Sequence, residues 1–423
     1  MRSSRKRLIS KQKIKSQRIS KRLQRQKRNK MRKLSAHYIF SGKEKPLKNG
    51  ILVLDDDGKV VELIDRQGSN KEVSGLEFHP GIITPGFINT HCHLELSYLK
   101  NGISRGNGLA AFLGEVKQQW SDDAELIQSA ARKADKLMQR NGIVAVGDVT
   151  NTVNALEVKR KSLLKYHTFC EAFGILKERA ERAFSKALDI REAYIQHGLK
   201  ATIIPHSLYA VSDELLEMID KVQEDTCSLH YMESREEIEV MSTGEGPLRR
   251  HYENTIGLEL SGWQHPGISH AHRLNKWIGV DKKLLLVHNT FMNDNALNEL
   301  KKDRSTDNTW LTLCPKSNIH IEQQLPDIPL LMRSGFPLCL GTDSFASNDG
   351  LSILDEMRLI QQQYPETALV DMITWATVNG AEALGFEEQG SFEPGKRPGV
   401  NLISGANLKE LKLTSNSRVN VLA

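Results

Sequence analysis

Residues 86–99 read "GFINTHCHLELSYL". An apolar run opens directly after Pro85 and closes on two histidines one residue apart, His91 and His93. Side chains on a strand alternate between faces, so residues i and i+2 share one, and a strand here aims both imidazoles the same way. Neutral imidazole is a common metal ligand, and two from one strand chelate together. The pattern alone is a weak signal, because "SHAHRL" repeats it at His270 and His272. There the spacing predicts a helix, on which i and i+2 diverge, and the second pair is read as surface residues.

The same rhythm recurs downstream. Short apolar runs, "GFINTHCH", "GIVAVGDVT", "YHTFCEAFG", "ATIIPHSLYA", "TCSLHYME", "LLLVHNT", "WLTLCPKSN" and "PLCLGTDS", are separated by longer stretches of helical periodicity. Strands alternating with helices predict a parallel sheet, and eight of them between residues 86 and 344 predict a closed α/β barrel. "DDAELIQSAARKADKLMQRNG" is one such helix, stopped at Gly142, and residues 366–385 are another. Before Gly86 the text is strand-like, with an Asp57-Gly58 turn inside "GILVLDDDGKVVELI"; after residue 390, "GSFEPGKRPGVNLISG" returns to turns and strand.

Composition narrows the classes. The 423 residues carry a formal charge of +6, but residues 1–33 hold 16 of the 58 Lys/Arg and no acid, which leaves 42 bases against 52 acids in an acidic body. The basic head lacks the apolar core of a secretory signal. It reads as a disordered tail, or as an extension upstream of Met31 as the natural first residue, in preference to a nucleic-acid or anionic-lipid binder. Five cysteines without a CxxC pair sit inside apolar runs and read as buried thiols of a reducing, cytoplasmic compartment. No stretch reaches the roughly 18 apolar residues of a membrane helix, so no membrane partner is expected.

The ends of the predicted strands carry the chemistry. "SLHYMES" closes on His230 and, three residues later, Glu233; "LLLVHNT" closes on His288; "LCLGTDS" closes on Asp343. Each alone has a structural explanation, a hydrogen-bonded histidine, a solvated glutamate or a helix cap. Four such strand ends on one barrel point instead to a metal centre.

Taken with "PHSLYAVS", "CPKSN", "GTDSFASND" and "GSFEPGKRPG", these motifs make residues 81–399 resemble the amidohydrolase superfamily, most closely its deaminase and chlorohydrolase branch. The resemblance implies a (β/α)8 TIM barrel over 85–389, with a small β-sandwich built from 31–84 and 390–423. It implies one divalent metal per chain, zinc or alternatively iron, held by His91, His93, His230 and Asp343. Relatives with two metals add a carboxylated lysine on the third or fourth strand; here Lys165 and Lys200 only precede those strands, which favours one metal. Asp343 and His288 would hold and deprotonate the attacking water, and Glu233 would carry a proton to a ring nitrogen and then to leaving ammonia. His206, Glu95, Ser317, Asn318 and Ser347 are the candidate substrate contacts, with bracing of the site as the alternative for His206, Ser317, Asn318 and Ser347. One departure is Gly399-Val400-Asn401, where relatives follow the last Pro-Gly with Ala-Asp, and it bears on how the terminal unit packs.

The expected activity is hydrolytic deamination of an amino-substituted purine nucleoside or related heterocycle, with aminodeoxyfutalosine favoured. The alternatives are a chlorohydrolase or cyclic-amide hydrolase of the same family, a non-catalytic scaffold, and a nucleic-acid binder acting through the basic head. A small heterocycle is the expected partner, and a homodimer is left open. A zinc enzyme of the cytidine-deaminase type is excluded, because the chain has no PCxxC ligand pair.

Overall fold

The computed structural model describes residues 31–43, 45–223 and 226–423. The basic head, residues 1–30, lies outside the described residues, and so do the expectations attached to it.

The described residues begin with five strands, β1 (Arg32–Ile39), β2 (Leu47–Lys48), β3 (Ile51–Leu54), β4 (Val60–Ile64) and β5 (Leu76–Pro85). β3 and β4 form the expected antiparallel hairpin, turned at Gly58 with φ +75°. Asp55 steadies that turn by accepting from the N–H groups of Asp57 and Lys59, each at 2.9 Å. Eight further strands follow: β6 (Phe87–Cys92), β7 (Ile143–Thr150), β8 (Lys165–Ala172), β9 (Lys200–Pro205), β10 (Cys227–Tyr231), β11 (Leu284–His288), β12 (Thr309–Leu313) and β13 (Leu338–Leu340). The chain ends with β14 (Val400–Ser404) and β15 (Arg418–Val421). All eight apolar runs of the sequence are therefore strands.

The terminal strands form one seven-stranded sheet in the order β15-β14-β5-β1-β3-β4, with β2 paired to β1. Strands from before and after the two parallel sheets meet in it, since Val400 pairs with Pro85. Its buried face is built from Leu34, Ile39, Leu52, Ile83, Phe392 and Leu402. Asn401, at the departure from the relatives' pattern, donates to the Gly142 carbonyl at 2.8 Å and so ties this sheet to the start of β7. Gly86 makes the join to β6 possible: a Cβ there would stand 2.3 Å from Val144 and 2.6 Å from the Pro398 carbonyl.

β6 to β13 are parallel to their neighbours in two four-stranded sheets, β6-β7-β8-β9 and β10-β11-β12-β13. Parallel bridges join the sheets at both seams, Cys92 to Asp343 and Ser207 to His230. Strands covered on both faces read as unbroken apolar text, and every residue of β11 and β12 is buried. Helices cover the outside. The predicted one spans Ala124–Arg140, capped by Asp123, which accepts from Glu125 and Leu126. It buries Ile127, Ala131, Ala134 and Met138, and the chain leaves it through Gly142 at φ +76°. Its cap is worth about 1 kcal/mol. The helix expected over 366–385 runs as Leu369–Thr374, a π turn Trp375–Asn379 and Gly380–Leu384, ended by a left-handed Gly385.

All five cysteines are free and buried. Among the described residues no helix is long and apolar enough to cross a membrane.

Candidate active site

Because the eight strands run parallel, their C-terminal ends open on one side, and the polar strand-end residues gather there. The backbone sets their positions first. Thr342 and Asp343 both donate to the His91 carbonyl at 3.0 Å, and the His230 N–H donates to the His206 carbonyl at 2.9 Å, so the seams of the sheets are also the floor of the site. His288 (φ 76°), Asp343 (φ 55°) and Met232 (φ 49°) occupy the left-handed region. Such backbone costs of order 1–3 kcal/mol for a residue other than glycine and persists only where the surroundings impose it.

His91 Nε2 and His93 Nε2 approach to 3.1 Å, and Asp343 Oδ1 lies 3.6 Å from the first and 3.4 Å from the second. His230 Nδ1 and His288 Nε2 are also 3.1 Å apart. Two overlapping donor groups result, His91 with His93 and Asp343, and His91 with His230 and His288. The four ligands expected from the sequence thus straddle two groups that share His91. A third group, Glu171 with His206 and His230, adjoins them.

The donor set fits a divalent cation. His230 Nε2 is buried without a hydrogen-bond partner. Without a cation, one of the two facing imidazoles of His91 and His93 must donate its Nε2–H to the other; with one, both lone pairs and the adjacent carboxylate are satisfied together. Burial keeps the imidazoles in the unprotonated form that a metal needs. It pushes His93 and His230 down to about 4 and lowers His91 and His288 as well. Burial alone would raise Asp343, but the hydrogen bond from His91 and the neighbouring His93 and His288 rings hold it well below the usual carboxylate range.

Glu233 stands beside this cluster, 4 % exposed, with Oε2 3.3 Å from His230 Nδ1 and Oε1 3.5 Å from His288 Nε2. Burial, then the charges of Asp343 and Glu237, raise its pKa well above the ordinary value, so it carries a proton where an exposed glutamate would not.

The candidate substrate contacts divide. His206 is the most open of them, and its Nδ1 donates to Glu171 Oε1 at 2.7 Å. Glu95 is corrected by the structure: its carboxylate is 3 % exposed and accepts from Thr150 Oγ1, the Asn151 N–H and Thr152 Oγ1 at 2.7–2.8 Å. It holds the loop after β7 instead of facing a ligand. The alternation that suggested otherwise fails because residues Leu94–Leu99 form a 3-10 turn, and the strand period no longer applies. Ser317 and Ser347 turn to Asp343 Oδ2 at 2.7 and 2.5 Å, and Asn318 Nδ2 reaches His288 Nδ1 at 3.2 Å and Thr290 Oγ1 at 2.6 Å. These three brace the charged cluster. Lys165 and Lys200 are the first residues of β8 and β9 and do not precede them, which places both at the strand ends opposite the site.

One of the two surface readings needs correction. His272 is exposed, but His270 is 7 % exposed and donates from Nε2 to Glu237 Oε1 at 3.1 Å. The functional residues that sequence reasoning passed over are Glu171, Asp148 and Glu237. Asp148 accepts from the Leu94 N–H at 2.7 Å and pairs with the buried Lys159 at 2.5 Å, which anchors the chain just past His93. Glu171 and Asp148 gave the same signal as His230, a polar residue closing an apolar run.

Residues 82–421 match the family model described as the Amidohydrolase family. The chain is similar to an adenosine deaminase of Helicobacter pylori, 28% identical over 84% of this chain and 87% of that one. It is also similar to a 5-methylthioadenosine/S-adenosylhomocysteine deaminase of Haloarcula marismortui, 26% identical over 84% of this chain and 79% of the relative. Among solved structures it is similar to Helicobacter pylori aminofutalosine deaminase in complex with methylthio-coformycin, with a TM-score of 0.75, 25% identity, and coverage of 88% of this chain and 92% of that one.

Proposed function

Since this chain belongs to the amidohydrolase family, we propose that it is a metal-dependent hydrolytic deaminase of an adenine nucleoside or closely related heterocycle, with aminodeoxyfutalosine as the favoured substrate. The observation that carries the reading is the convergence of His91, His93 and Asp343 within one buried donor group, with His230 beside it and Glu233 adjacent but outside every donor group. The relatives with adenosine-type and aminofutalosine substrates support the choice of ring. We read the two four-stranded sheets as one (β/α)8 barrel over 85–389, and the terminal sheet as the separate unit of 31–84 and 390–423.

His91, His93, His230 and Asp343 are the residues that would hold one divalent ion, for which imidazole-rich sites suit zinc, with iron as the alternative. When bound, such an ion supplies a Lewis acid that makes water a nucleophile near neutral pH. The chain's own groups do the rest. His288 and Asp343 orient the water and take its proton, held in place by Asn318, Ser317 and Ser347. Glu233 gives its proton to the ring nitrogen next to the attacked carbon and regains one from the new hydroxyl as that becomes the carbonyl, while the proton taken from the water passes to the departing amine, which leaves as ammonia. His206 presents its second nitrogen to the substrate ring, its tautomer set by the bond from Nδ1 to Glu171.

The test is an ammonia-release screen of zinc-loaded enzyme across adenine nucleosides, guanine, cytosine and triazines. Turnover of adenine nucleosides with one equivalent of ammonia is expected. Release of chloride from halotriazines, or of no ammonia from any amino-substituted ring, would overturn the reading.

A further inference from the structure

Helix Arg235–Thr243 follows Glu233 with only its cap residue Ser234 between, and Ser234-Arg235-Glu236-Glu237 has the form of a capping box. Ser234 behaves as such a cap, accepting from the Glu237 N–H at 3.0 Å. Glu237 does not. In a capping box the glutamate reaches back to the N–H of the cap residue itself, here Ser234, and its work ends there. The Glu237 carboxylate instead passes Ser234 and accepts from the two residues before it, Met232 N–H at 3.1 Å and Glu233 N–H at 2.8 Å. Its third donor is His270 Nε2, at 3.1 Å, from the N-terminus of a different helix, His270–Trp277.

Glu237 is completely buried and His270 nearly so. The carboxylate therefore joins three donors that no local helix geometry would bring together, and two of them are the backbone of Glu233 and of the left-handed residue before it, Met232. That turn decides where the Glu233 side chain points. A side chain that must reach both a ring nitrogen and a departing amine needs its backbone held, since small displacements of a positioned group lower rates steeply. His270 in turn limits how Glu237 sits, because its ring nitrogen takes up Oε1 from the far side.

We propose that Glu237 and His270 are positioning residues for Glu233, a pair that fixes the turn carrying the proton carrier without touching substrate or metal ligands. The inference rests on the reading of Glu233 as that carrier. It assigns to His270 a function that its sequence context does not suggest, and it predicts which conservative change will be tolerated. His270 borders a cavity of about 390 Å³ lined also by Met232, Met241 and Ala296, which leaves room for a glutamine that keeps an N–H donor toward Glu237.

The experiment uses the metal-loaded full chain. Glu237→Gln retains one acceptor oxygen and turns an amide N–H₂ toward a backbone donor, so kcat should fall about 10–100-fold with KM and metal content unchanged. His270→Ala should lower kcat about 10-fold, and His270→Gln should restore most of it. Introduced into Glu233→Gln, neither Glu237→Gln nor His270→Ala should lower the residual rate further, because the group they position is already gone. An equal loss in the wild-type and Glu233→Gln backgrounds, a loss of metal, or a change confined to KM would overturn the proposal. If Glu237→Gln does not fold, the His270 pair decides alone. A fully active Glu233→Gln enzyme, seen before any double variant is made, would sink the reading of Glu233 and this inference with it.

Discussion

His91 and His93 stand one residue apart at the end of β6, and His270 and His272 stand one residue apart at the start of a helix, yet the two pairs are used in opposite ways. The strand turns both rings of the first pair inward until their Nε2 atoms meet at 3.1 Å. The helix divides the second pair, sending His270 inward to Glu237 and leaving His272 in solvent. At 100° per residue, positions i and i+2 of a helix are about 200° apart, so an amphipathic helix buries one of them when the other is exposed. The spacing of two residues carries no meaning until the backbone under them is known.

The contrast can be broken most directly at the strand pair. His91→Ala and His93→Ala should each strip the bound metal and lower turnover by at least about 10³-fold, measured as metal per chain by elemental analysis alongside ammonia release. Wild-type protein should hold one ion per chain; two would refute the single-metal expectation. Glu233→Gln comes next, with a loss of about 10²–10⁴-fold in kcat and metal content near one, since a positioned acid or base contributes that much. A metal-free Glu233→Gln protein would instead place Glu233 among the ligands.

Ser317→Ala removes one of two hydroxyls that hold Asp343 Oδ2 and should weaken metal affinity about 10-fold, read by competition with a chelator. The strand-end region should also show itself in the pH dependence of stability. Glu356 accepts from the Lys316 N–H and Asn348 Nδ2, tying the helix that carries Ser317 to the loop that carries Ser347. Burial pushes its carboxyl up to about 8. Between an unfolded-state value near 4.5 and that value the folded protein binds the extra proton, so this contribution is fully present below about 4.5 and is lost as pH rises toward 8. Its slope is at most about 1.4 kcal/mol per pH unit, and Glu356→Gln should flatten the pH profile of the denaturation midpoint. The smallest effect belongs to the helix pair: His272→Ala should leave turnover unchanged and stability within about 0.5 kcal/mol, and a larger loss would show that the exposed member also has a partner.

Much of this molecule could be read from its text because the strands of the two parallel sheets are largely buried. Such strands must be apolar throughout, and the polar residue that ends each one marks where the chain emerges; His230, His288 and Asp343 were legible for that reason. Glu171 and Asp148 lie near the ends of apolar runs in the same way and were equally legible. Glu95 misled because the alternation was carried one turn past the last strand residue, Cys92. Glu237 and His270 were out of reach: a capping box is visible in the sequence, but that its carboxylate would bond two residues upstream and one on a distant helix depends on packing between elements. Ser317, Asn318 and Ser347 were placed at the correct strand ends, while the direction their side chains take is set by Asp343 and His288.

The pairing of Val400 with Pro85 has a further consequence, for the order in which the protein is made. β5 is synthesised early, with β1 on one side of it, but its other edge stays open until β14 leaves the ribosome more than three hundred residues later. Through that interval the nascent chain carries an unpaired strand edge, with Ile82 and Ile83 in it, beside the growing parallel sheets. Arg32, bonded to the Leu422 carbonyl at 2.8 Å, ties β1 to the segment just after β15. The terminal sheet thus closes only after the strands between β5 and β14 have been made, and the stretch of translation before it closes is when its open edge is available to a neighbour.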